Sequence, residues 1–81
     1  MDEFMECIMS DLSLIEADDT IPKNVRCKIK SAIDILSNNS SNINLNIDKS
    51  IQELGEVAED PNLPAHARMQ IWSIVSQLES R

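Results

Sequence analysis

Eighty-one residues make one domain, 1–81, that hides only roughly 60 to 65 percent of the surface its unfolded chain exposes, so a deep enclosed active site is not expected. Fourteen acidic against seven basic residues give a net charge of -7, which repels polyphosphate and anionic lipid and argues against nucleic acid and membrane as partners. Cys7 and Cys27 lack CxxC spacing; with no cationic leader and no run near the roughly 18 apolar residues of a membrane span, they read as reduced thiols in a soluble, cytoplasmic protein.

One Gly, three Pro and few aromatics argue against sheet, while apolar residues recur at three and four, so the chain is expected to be all helix. Phe4, Ile8, Leu12 and Ile15, widened by Met5 and Met9, form the stripe of a first helix from about Asp2 to Ala17. Val25, Ile29, Ile33 and Leu36, with Ala32, predict a second from about Ile21 to Ser37. The run "SNNSSNINLN" then interrupts the pattern with residues that hydrogen-bond their own backbone and favour loops. Ile47, Ile51, Leu54 and Val57/Ala58 mark a third helix that starts between Asn42 and Asn46 and ends near Glu59. Pro64, Ala67, Ile71, Ile74, Val75 and Leu78 mark a fourth, running almost to Arg81. The acidic first helix and the basic second, with Lys23, Arg26, Lys28 and Lys30, are expected to lie against each other, within one chain or across a dimer.

The pattern occurs twice. Displacement by 42 residues (18 to 60) superposes Leu12 on Leu54, Asp18 on Asp60, Pro22 on Pro64, Arg26 on Arg68, Ile29 on Ile71 and Leu36 on Leu78. The unit is a helix, a short turn and a second helix, used over about 2–37 and again over about 44–80.

Pro22 and Pro64 mark helix starts, because the amide that proline lacks has no intrahelical acceptor in the first turn. Thr20 and Asn62, two residues earlier, are expected N-caps. Arg26 and Arg68 lie one turn beyond each proline. They can pair with Asp18 and Asp60, or donate to the last carbonyls of the preceding helix; either would fix the angle between helices. Binding of a substrate or anion by these arginines is the competing reading.

His66, the single histidine, falls on a helical wheel with Gln70, Ser73 and Gln77, away from the core. No His or Cys lies three or four residues away, so a surface or interface role is expected over a metal or catalytic one. Trp72 points about 100° from Ile71, with Ala65, Met69 and Ser76 beside it. The equivalent positions of the first copy are Lys23, Cys27, Lys30 and Asp34. The last helix thus carries a second apolar stripe, covered either by the first helix or the long loop, or by a partner, since Trp and Met are enriched at interfaces.

"EDPNLPAHARMQIWSIVSQLE", together with "DDTIPKNVR", resembles the small acidic archaeal proteins grouped as uncharacterised protein family 0147. The likeness runs from about Met9 to the end, except for "SNNSSNINLN", which departs from the family's usual Asp-Pro turn. It implies a short cytosolic four-helix protein with no assigned activity, and supplies no catalytic residues. The Asp, Pro and Arg of each turn also resemble HEAT-type repeats, whose period is roughly 40 to 47 residues. Two copies fall short of a solenoid, so they are expected to close on each other as a bundle or to pair in a dimer.

The expectation is therefore an all-α, four-helix bundle-like protein of two duplicated helical hairpins. It is read as a protein-interaction module without catalytic residues, metal or cofactor, self-associating as a homodimer through Ala65, His66, Met69, Trp72 and Ser76, with any other protein partner unknown. The alternative is a small ligand- or metal-binding protein or enzyme using His66 and Arg68. Against it stand the lack of a Gly-rich phosphate loop and of any Ser/His/Asp or HExxH arrangement.

Overall fold

Apolar side chains repeating every three or four residues wind the chain into four helices whose stripes meet in one core. A computed structural model describes residues 3–38 and 42–80. It places α1 at Glu3–Glu16, α2 at Lys23–Ser37, α3 at Ile43–Ala58 and α4 at Ala65–Glu79, with no strand among the described residues. The molecule measures 32 × 21 × 20 Å, so its long axis exceeds the roughly 22 Å of a 15-residue helix by about 10 Å.

Consecutive helices are neighbours: α1 packs on α2, α2 on α3 and α3 on α4. The acidic first helix thus lies against the basic second within one chain. The α2–α3 interface is the most extensive, while α1 and α4 meet only thinly. Ile8, Leu12, Ile29, Leu36, Leu54, Ile71 and Leu78 are fully enclosed. Met9, Ile33 and Ile51 lie against this core from its edge. Phe4, expected in the first stripe, stays 38% exposed, and Met5 takes the inward place. The buried positions of α1 are 5, 8, 12 and 15, and residue 4 falls at the border of that arc.

Two of the expected helix starts move. Asp2 and Arg81 lie outside the described residues. The second and fourth helices begin at Lys23 and Ala65, because Pro22 (φ -55°, ψ 145°) and Pro64 (φ -58°, ψ 147°) are extended and stand just before the first helical residue. Proline fixes φ alone, and here ψ keeps each ring outside the helix. Thr20 and Asn62 therefore do not cap. The third helix starts at Ile43, inside the expected span from Asn42 to Asn46, with the side chain of Asn42 accepting from the Asn44 amide at 2.9 Å, so the end of the polar stretch, 43–46, is helical.

Asn46 was part of that polar stretch, yet it is buried and donates through Nδ2 to the Asn38 carbonyl at 2.9 Å. This bond ties the end of α2 to the first turn of α3 across the long connection, and satisfies a carbonyl that has left its helix. Ser50, one turn further on, is fully buried and its hydroxyl has no hydrogen-bond partner, where the first copy carries Ile8. A buried polar group without a partner costs about 1 to 3 kcal/mol. Ser50→Ala is accordingly expected to raise the unfolding free energy by about 1 kcal/mol, read as a higher urea midpoint at unchanged slope.

Candidate functional site

The two corners that join the helices of each hairpin are built alike. In the first, Asp18 Oδ1 accepts from the Thr20 amide at 2.9 Å and from its hydroxyl at 2.6 Å. In the second, Asp60 Oδ1 accepts from the Asn62 amide at 2.8 Å. The backbone bonds repeat too, with Ile21 donating to the Asp18 carbonyl and Leu63 to the Asp60 carbonyl, both at 3.2 Å. Aspartate followed two residues later by a free amide makes an Asx turn. The aspartates, not Thr20 and Asn62, therefore supply the side-chain acceptors.

Neither arginine pairs with the first aspartate of its corner, but Arg68 takes the other expected course and donates to carbonyls at the end of the preceding helix. Arg68 Nε donates to the Ala58 carbonyl at 3.0 Å, and Nη2 reaches the carbonyls of Asp60 at 3.1 Å and Leu63 at 3.4 Å. It closes the end of α3 by meeting acceptors that the helix leaves open. Arg26 does otherwise. Its guanidinium reaches Asp19 at 3.7 Å, a carboxylate 98% exposed, and its Nε is shielded from solvent without a partner. Asp18 is instead occupied by Thr20 and by His66, whose Nε2 lies 3.3 Å from Asp18 Oδ2. That contact crosses from the first corner to the start of α4. The Thr20 side chain, the Thr20 amide and His66 together hold the Asp18 carboxyl below its ordinary value, at about 2.

His66 therefore meets the first corner at Asp18, to one side of the stripe of Trp72. Ala65, Met69, Trp72 and Ser76 are exposed together on α4, with Met69 at 74% and Trp72 at 47%. The indole is thus not enclosed by α1, and residues 39–41 of the long connection lie outside the described residues. Leu14, 70% exposed on α1, was not singled out from the sequence. It borders a shallow cleft of about 200 Å³ where α1 and α4 separate, lined also by Asp11, Ile15, Gln70, Ser73 and Ile74. Its one available signal was an apolar residue opposite the first helix's stripe. Cys7 and Cys27 are exposed and unbridged. Among the described residues no group of three or more His, Cys, Asp or Glu side chains converges to hold a metal, and no helix is long and apolar enough to cross a membrane.

The model of an uncharacterised protein family, UPF0147, matches residues 1–80 of the chain. The chain belongs to UPF0147. Relatives in the family include a UPF0147 protein of Methanosarcina mazei, 41% identical over 69 residues that span 85% of this chain and 74% of the relative. Another, from Archaeoglobus fulgidus, is 36% identical over 75 residues, covering 93% of this chain and 85% of its own. Two crystal structures share the fold. One, of the unknown function protein MMP1188, superposes with a TM-score of 0.92 at 38% identity, over 98% of this chain and 90% of the other. The second is a UPF0147 protein from Thermoplasma acidophilum, at a TM-score of 0.90 and 34% identity over 95% and 91% of the two chains. The all-helical, four-helix architecture is thus a property of UPF0147, a family of uncharacterised proteins.

Two outcomes are expected from the corner geometry. Arg68→Ala should cost about 2 kcal/mol of stability, because charged donors leave partly buried carbonyls open, whereas Arg26→Ala should cost less than about 1 kcal/mol, the range of an exposed ion pair; urea unfolding compares them. Asp18 has a folded pKa of about 2, depressed from 3.8, so its contribution is complete above about pH 4 and is lost as pH falls toward 2. Wild type should therefore lose stability across that window more steeply than Asp18→Asn, in thermal unfolding followed at fixed ionic strength.

Proposed function

We propose that this UPF0147 protein is a non-enzymatic protein-interaction module of the cytoplasm that associates with itself through the exposed face of α4. The carrying observation is Trp72, 47% exposed beside Met69 at 74% on one helix face. A large ring left half in water gains by burial, and Trp and Met are enriched in the cores of protein interfaces. Ala65 and Ser76 flank them with small side chains that let a partner helix approach. His66, expected in the same interface, is engaged with Asp18 of the first corner, which favours a place at its margin. The arginine expected to serve an alternative ligand site, Arg68, is committed to three backbone carbonyls, which favours a structural role.

Sedimentation equilibrium tests the reading. Wild type is expected to run at a greater mass than Trp72→Glu, which places a charge at the centre of the proposed contact. Equal monomer mass for both proteins would remove self-association.

A further inference from the structure

The first hairpin has a depression where the end of α1 meets the outer face of α2, and the 42-residue displacement (16 to 58) gives the matching five positions in the second copy. In the second copy the positions are Ala58, Ala65, Arg68, Met69 and Trp72; in the first they are Glu16, Lys23, Arg26, Cys27 and Lys30. The first-copy residues line an open groove of about 190 Å³. The backbone plan is shared, but the chemistry is inverted. Where the second copy has an indole, a thioether and an arginine tied to carbonyls, the first has three cations around a thiol.

We propose that this basic groove binds an acidic peptide segment of a partner protein, through carboxylates held by Lys23, Arg26 and Lys30. Arg26 is the informative residue. Its counterpart Arg68 gives Nε to a helix-end carbonyl at 3.0 Å, but Arg26 makes no such bond, and its guanidinium rests on the exposed Asp19 at 3.7 Å. A contact of that length to a solvated carboxylate is weak. The outer edge of the fork is thus available to a carboxylate that can be gripped by two nitrogens. Lys23 and Lys30 stand two turns apart, about 10 Å, the reach of side chains three residues apart on an extended peptide. Neither lysine has a carboxylate within ion-pair distance among the described residues.

Glu16 in the lining and Asp19 against Arg26 leave the groove one net positive charge, or two once a ligand carboxylate displaces the solvated Asp19. That balance and its small volume suit one or two carboxylate side chains. An extended polyphosphate would also meet Glu16 in the lining and Asp19 beside Arg26, and would be repelled by a chain whose net charge is -7. The groove is separate from the Trp72 face, and its occupancy does not depend on self-association.

Titration of isotope-labelled protein with a capped hexaglutamate peptide tests the proposal by amide chemical shifts. Saturable shifts are expected around Glu16 and from Lys23 to Lys30, unchanged in Trp72→Glu and in the remote Lys49→Glu, and lost in the double variant Lys23→Glu/Lys30→Glu. Arg26→Lys keeps the charge but not the fork, and should weaken binding about tenfold. Absence of saturation, or an Arg26→Lys titration like that of wild type, would overturn the proposal. So would equal or tighter binding of a hexameric oligoribonucleotide at the same amides. A lower sedimented mass for the double lysine variant would also overturn it, because the groove would then be a contact between copies of this chain.

Discussion

Each hairpin depends on a turn that closes on its own aspartate. The Asp18 and Asp60 carboxylates accept the amide two residues on, and their carbonyls accept from Ile21 and Leu63. Those two apolar residues are thereby sunk into the core, 1% and 4% exposed. The proline that follows is extended and hands its carbonyl to the first helical bond, at 3.0 Å from the Arg26 amide and from the Arg68 amide. One short segment so determines where the second helix starts, and hence which of its faces meets the core. Arg68 adds a second fastening at one corner only.

The shared residues therefore account for shape, and the differing ones for chemistry. Asp, Pro and the buried Ile or Leu are spent on the corners. Lys23, Cys27 and Lys30 against Ala65, Met69 and Trp72 are not, since these side chains stand outside the core in both copies. Two hairpins with one backbone plan can in this way present one cationic and one apolar surface on a single small domain. The shared family fold, recurring at TM-scores of 0.92 and 0.90, fixes the platform but does not say what rests on it.

Much of this was legible in the chain itself. Four stripes identified the helices, because periodic burial is written directly in side-chain type, and the 42-residue displacement (22 to 64, 26 to 68) marked the two corners that are built alike. The corner details were not legible. Whether a proline sits inside or just before a helix depends on ψ, which residue identity leaves free. Whether Arg26 meets Asp18, Asp19 or a carbonyl depends on ångström-scale competition, and in the first corner His66, from 48 residues away in sequence, takes up the aspartate. Asn46 was hidden by its polar neighbours, since nothing local marks the one asparagine that will find a carbonyl across the gap. Trp72 was placed outside the core by angle alone, and its exposure follows from that geometry.

The broad α2–α3 interface and the thin α1–α4 seam are counterparts, because the duplication maps α1 onto α3 and α2 onto α4. One junction is filled and the other is left ajar, bridged at one end by His66 and Asp18. The α2–α3 pair then acts as a spine from which the outer helices can lean away. Partial opening of this kind exposes Ile15 and Ile74 while sparing the tie between Asn38 and Asn46, so backbone amides of α1 and α4 would exchange with solvent through smaller fluctuations than those at the centre of the spine. The same four-helix chain is in that sense graded in packing, closest between α2 and α3 and most open where its two outer helices face one another.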